Sequence, residues 1–161
     1  MMDYVIRAMD ERKTMSVFIA TTTNLVNEAT MIHGLSPVAA AALGRTLTAA
    51  SMMGNMMKGE RDTISIQLMG DGPIKKVFAI SNSMGEVKGY VGNPLVDLPL
   101  KYDNKLDVGG AVGKNGQLIV IKDLGLKDPY IGQSNLISGE VAEDLANYFL
   151  CSEQVPSAVN L

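Results

Sequence analysis

The sequence predicts an α+β fold, and three observations carry that prediction. Hydrophobic residues alternate with period two near the N-terminus and again from residue 62 onward, while the stretches between and after read at helical spacing. Strands and helices are therefore segregated rather than alternating, which disfavours a doubly wound parallel sheet. The length of 161 residues, with 47% hydrophobic and 19% charged residues, fits one folded domain with a sizeable core.

Residues 3–9, DYVIRAM, read as a strand, followed by the charged turn DERKT and a second strand, MSVFIAT. Together they form an antiparallel hairpin. In TTTNLVNEATMIHG a threonine among 21–23 is positioned to cap a helix. Leu25, Val26, Ala29 and Ile32 share a stripe, and Gly34 supplies the left-handed stop. Ser36-Pro37 then starts a second helix, with an N-cap hydroxyl followed by proline at the first helical position. Its stop signal is Lys58-Gly59, which gives a helix of roughly 33 Å.

From Asp62 the period changes. Ile64, Ile66 and Leu68 alternate against Ser65, Gln67 and Met69, GDGP turns the chain, and IKKVFAISN and EVKGYVGN follow around the turn NSMG. Pro94 and Pro99 make residues 94–107 a loop or edge segment. VGGAVG suggests bends, and Lys114-Asn115-Gly116 reads as a hairpin turn into QLIVIKDLG. GLKDPYIGQSNLI reads as loop with a short strand. Ser138 is the expected cap of a last helix, GEVAEDLANYFLCSEQ, with acidic residues in its first turns. The final VPSAVNL looks like the start of another strand.

Composition excludes several classes. A net charge of −3 provides no basic field for nucleic acid or an anionic membrane. A single cysteine, Cys151, forms no internal disulfide and no cysteine-based metal site, and its place beside Leu150 suggests packing. No secretory signal pattern opens the chain, so the cytoplasm is the expected compartment. There are 11 methionines and no tryptophan, and four methionines fall among the twelve uncharged residues between Arg45 and Lys58. Thr46, Thr48, Ser51 and Asn55 argue against a membrane span there, and the many Ala and Gly residues argue for a buried helix.

The remaining motifs suggest no chemistry. His33 is the only histidine, lacks a nucleophile signature, and stands where a helix C-terminal cation is common. Gly70-Asp71-Gly72-Pro73 lacks the phosphate-loop patterns, and the aspartates lack calcium-loop spacing. No catalytic, cofactor or metal residue is assigned.

The segments HGLSPVAAAALGRTLTAASMMGNMMKGE (33–60) and LMGDGPIKKVFAISNSMGEVKGYVGNP (68–94) resemble the N-terminal domain of the heat-shock chaperones called 33 kDa chaperonins. TTNLVNEA, AVGKNGQLIVIKDLG and SGEVAEDLANYFLCSEQVPS extend the resemblance over nearly the whole chain. It implies two crossed, mainly antiparallel β-sheets around a buried central helix, with flanking helices, and an N-terminal chaperone domain over 1–161 that continues past Leu161. It also implies an ATP-independent, redox-regulated holdase that is a homodimer and binds unfolding client proteins under oxidative stress. The family's zinc-binding switch cysteines are not in this sequence. Zinc is therefore expected in a C-terminal domain of the parent protein and no cofactor in these residues.

The resemblance further suggests that a surface covered in the parent chain is open here. Ile74, Val77, Phe78 and Tyr90 are the candidate client-binding residues, with the core as the alternative for each. Two competing classes are a dimerisation scaffold whose client binding lies beyond Leu161, and an enzyme built on His33.

Overall fold

The computed structural model describes residues 2–161. Strands β1 (Tyr4–Met9) and β2 (Ser16–Thr21) form a two-stranded antiparallel hairpin. Helices α1 (Thr23–His33) and α2 (Pro37–Gly54) follow. Strands β3 (Thr63–Met69), β4 (Val77–Asn82), β5 (Val87–Val91), β6 (Gln117–Asp123) and β7 (Tyr130–Asn135) form a second sheet, wholly antiparallel, in the order β5-β4-β3-β6-β7. A short helix α3 (Val108–Val112) precedes β6, and α4 (Ala142–Cys151) follows β7. The α+β expectation holds, with two antiparallel sheets and a buried helix.

That helix is α2. Ser36 Oγ accepts from the Ala39 N–H and itself donates to the Val96 carbonyl, so one hydroxyl both caps the helix and anchors the loop after β5. Val38, Ala39, Ala42, Leu43, Leu47, Ala50 and Met53 are all buried. Small residues let the layers approach. A Cβ on Gly44 would stand 2.8 Å from Val26 of α1, and one on Gly89 of β5 would stand 2.9 Å from Leu47. Ile64, Ile66, Leu68, Val77, Ala79, Leu118 and Val120 supply the sheet side of the core.

Several boundaries differ from the sequence reading. Helix α2 ends at Gly54, about 27 Å long rather than 33 Å. A Cβ at Gly54 would sit 2.3 Å from Ser81 Oγ and 2.4 Å from the Asn82 carbonyl, so β4 closes on the helix end there. The chain leaves through tighter turns, Met56 N–H to Met53 O and Met57 N–H to Gly54 O. Helix α1 is capped not by its own threonine but by Asp3, whose carboxylate accepts from the N–H groups of Asn24 and Leu25. Its apolar stripe stops short, since Ile32 is exposed.

Strand β4 begins at Val77, because Lys75 takes a positive φ of 68° and turns the chain. VGGAV is helical, with the Asp107 side chain accepting from the Gly110 N–H, so the Lys114–Gly116 turn joins a helix to a strand and is no hairpin. Ser138 does not cap α4. Asp144 accepts from the backbone N–H groups of Ile137, Ser138, Gly139 and Val141. Cys151 is exposed rather than packed. Residues 154–161 form no strand, although Val159 and Leu161 rest half-buried against the core.

Two ionic clusters tie these elements together. Glu140 receives Arg45 Nη1 of α2 at 2.7 Å, the Lys101 ammonium of the long loop and the Gly109 N–H of α3. Burial acts to raise its carboxyl, but the hydrogen bonds from Lys101 and Arg45 prevail and hold it below the ordinary carboxylate range. Glu153 receives both Lys122 Nζ of β6 and the buried Tyr148 hydroxyl of α4 on the same oxygen, each at 2.5 Å.

Candidate functional site

Alternation along each strand gives the five-stranded sheet two unlike faces. One is the core face just described. Helices α2 and α4 both pack on it, as the approach of Leu47 to Gly89 and of Tyr148 to Gly132 shows. Among the described residues no helix lies on the other face.

The strand registers order that open face into rows. One row runs Tyr90, Phe78, Gln67, Ile119, Gln133 across β5, β4, β3, β6 and β7. The next runs Lys88, Ile80, Ser65, Ile121, Ile131. Read along the strands, the face has two apolar stripes: Tyr90, Phe78 and Ile80 on one side, Ile119, Ile121 and Ile131 on the other. The uncharged Thr63, Ser65 and Gln67 of β3 separate them, which places β4 and β6 about 10 Å apart. Phe78 and Ile80 are half-buried by their neighbours, whereas Tyr90 is 43% and Ile131 59% exposed. The Lys76 ammonium stands 5.3 Å from the Phe78 ring and 5.7 Å from the Tyr90 ring, a cation over two aromatic faces.

A second apolar surface lies on the hairpin. Ile6 pairs with Ile19 and Ala8 with Val17, so Tyr4, Ile6, Ala8, Met15, Val17 and Ile19 share one face, and all are exposed. A hairpin with an open apolar face and two free edges is an element that association would stabilise.

The four residues proposed from the sequence divide between the two sides of the sheet. Phe78 and Tyr90 stand on the open face. Ile74 and Val77 are buried at 1% and 0% exposure and belong to the core. The sequence reading missed Ile80, Ile119, Ile121 and Ile131. Their signal was present in the alternation of VFAISN, QLIVIKD and YIGQSN, which marks both faces of a strand without saying which one is covered.

The other motifs find structural roles. A Cβ on Gly70 or Gly72 would meet the Val112 or Ala111 carbonyl at 2.2–2.3 Å, and Gly72 N–H bonds the Val112 carbonyl, so GDGP is the seat of α3. His33 is exposed at the end of α1. Among the described residues no group of three or more His, Cys, Asp or Glu side chains could hold a metal ion, so the residues present do not fit zinc. No helix among them is long and apolar enough to cross a membrane.

Comparison with known proteins identifies the family of the chain. The family model described as Hsp33 protein matches residues 3–161. A 33 kDa chaperonin of Clostridium tetani is 56% identical over 161 residues, covering 100% of this chain and 55% of its own length. One of Caldanaerobacter subterraneus subsp. tengcongensis is 54% identical, covering 99% of this chain and 54% of its own. The crystal structure of a 33 kDa chaperonin from Thermotoga maritima superposes with a TM-score of 0.91 at 42% identity, covering 96% of this chain and 52% of that one. The chain thus spans about half the length of the relatives it matches.

Proposed function

This chain belongs to the Hsp33 family, and from that premise we propose that it is the N-terminal domain of an ATP-independent holdase that binds unfolding proteins. Hsp33 proteins are non-enzymatic chaperones, so no catalytic residue is assigned. The observation that carries the reading is the open face of the five-stranded sheet. Its apolar stripes offer unfolded chains a place to bury exposed hydrophobic side chains, and Ser65 and Gln67 between them can bond a client's unpaired backbone amides. Such recognition needs no client sequence motif.

Redox regulation under oxidative stress, through a C-terminal zinc and cysteine switch, is part of the proposal for the longer parent protein. Cytoplasmic location belongs to it as well. The residues of this chain provide no such switch, because Cys151 is their one cysteine. The exposed apolar face of the β1–β2 hairpin favours a second reading, a homodimerisation scaffold that leaves client capture to other segments. Light scattering from a heat-unfolding client enzyme, without ATP and with this chain in slight excess, separates the two. The holdase reading expects suppressed scattering. The scaffold reading expects a folded dimer that leaves it unchanged.

A further inference from the structure

We propose that the outer edge of β7 takes up an extended segment of an unfolding client as a further strand of the five-stranded sheet. The identity of the occupant rests on the holdase reading. The edge itself rests on the hydrogen-bond phase of the strand. The Leu136 N–H bonds the Gly116 carbonyl, so by alternation Ser134, Gly132 and Tyr130 point their backbone groups at β6. Those of Ile131, Gln133 and Asn135 point outward. The Asn135 carbonyl accepts from Asn147 Nδ2 of α4, in keeping with that phase. Among the described residues nothing bonds the outward N–H and C=O of Ile131 or Gln133. Strand β7 pairs with β6 without a bulge from Tyr130 to Asn135 and carries no charge and no proline, so these common guards of an exposed edge are missing. Strand β5, at the opposite edge, carries Lys88 and begins across a cleft from Tyr4 and Val5 of the hairpin.

The surroundings select an extended peptide. Ile131 is 59% exposed on the open face and Tyr130 44% exposed on the helix side, so a strand laid along β7 finds an apolar neighbour on either face. The stripe of Ile119, Ile121 and Ile131 runs up to this edge and would continue onto such a strand. Main-chain bonds supply the affinity and are blind to sequence, which suits a binder of many clients. A second copy fits less well. Two β7 strands pairing antiparallel across a two-fold axis would bring α4 and its copy together on one face, where Asn147 already reaches the edge. The edge is also small. Its six residues span about 20 Å and offer roughly 250 Å², against the about 800 Å² per partner of a stable dimer. A client strand brings no helix of its own and needs only a transient hold.

The test titrates the folded chain with a short peptide of alternating valine and threonine, closed by lysines, and with the same peptide N-methylated along the whole run. N-methylation keeps the apolar side chains and removes the backbone donors. The unmodified peptide is expected to bind and to slow amide exchange at Ile131 and Gln133 about tenfold or more, leaving Val87 and Gly89 of β5 unchanged. The N-methylated peptide should bind about tenfold more weakly. Gln133→Pro removes an outward N–H without breaking the β6 ladder and should weaken the unmodified peptide about fivefold. If that variant does not fold, the exchange readout on the parent chain decides alone. No binding, binding without protection of Ile131 and Gln133, or equal affinity for both peptides would overturn the proposal. So would protection of those amides that rises with chain concentration in the absence of peptide, which would assign the edge to a second copy. Aggregation suppression is measured on the chain without peptide. Its absence alongside edge protection would sink the holdase reading and leave the strand-addition site standing. Suppression with unprotected edge amides would do the reverse.

Discussion

The rings of Phe78 and Tyr90 lie 5.5 Å apart on adjacent strands, tilted by 38°, with the Lys76 ammonium over both. They form one end of an apolar surface that no helix covers. Tyr90 is exposed and outside the core, so its removal separates adhesion from folding. Tyr90→Ser is expected to cost about 1 kcal/mol of stability, the scale of a lost aromatic pair. Client affinity should fall about threefold to tenfold. Urea denaturation and client titration on the same sample check both.

Glu140 gathers Arg45, Lys101 and the Gly109 N–H, joining α2, the long loop, α3 and the approach to α4. Its removal leaves Arg45 without its carboxylate and Lys101 with Asp107 alone, at 3.4 Å. Glu140→Ala should cost about 2 kcal/mol at neutral pH. The carboxyl is held below its ordinary value of 4.5 in the folded chain. Its stabilisation is therefore present above that value and lost as pH falls through the lower, folded one. Denaturation midpoints measured down through that range should fall more steeply for the parent chain than for Glu140→Ala.

Tyr148 works in the opposite pH range. Burial first, and then the hydrogen bond and charge of Glu153, push its phenol well above the ordinary value of 10.0. A raised folded value means stability that is complete below the ordinary value and lost as pH rises above it. Tyr148→Phe should cost about 1 kcal/mol at neutral pH through the lost hydrogen bond. The same substitution should remove part of the alkaline decline in thermal midpoint, and an unchanged decline would contradict the assignment.

The start of α4 hangs on one carboxylate. Asp144 is fully buried and accepts four backbone N–H groups, including that of Val141, which is held at φ 71°. A β-branched residue in that region is strained, and the Asp144 bonds offset the strain. Asp144→Ala strands four donors and should cost about 3 kcal/mol, above the usual loss for a helix cap. Hydrogen exchange would then show residues 137–145 losing protection before the rest of the chain.

Much of this fold was legible in the sequence. Ser36-Pro37 marked the start of α2, the alternation Ile64, Ile66, Leu68 marked the core face of β3, and Gly34 marked the left-handed end of α1. These signals are local, carried by a hydroxyl, a proline or a period. What stayed hidden depends on residues distant in the chain. Asp3 caps a helix some twenty positions away, β4 ends α2 by closing on Gly54, and Asp144 replaces Ser138 by reaching backward. The site divides in the same way. Phe78 and Val77 are neighbours of similar hydrophobicity, and only the position of α2 decides that Val77 is core and Phe78 is surface. Ile119 and Ile121 were invisible as surface residues for the same reason.

The central claim is that the open face of the five-stranded sheet holds clients and the hairpin face does not. The most direct test compares aggregation suppression by the parent chain with two folded double variants, Tyr90→Asp/Ile131→Asp on the sheet and Ile6→Asp/Ile19→Asp on the hairpin. All four positions are exposed, so circular dichroism should report native folds. The account predicts that the sheet variant loses suppression while the hairpin variant keeps it and changes only its association state. Full suppression by the sheet variant would contradict the account.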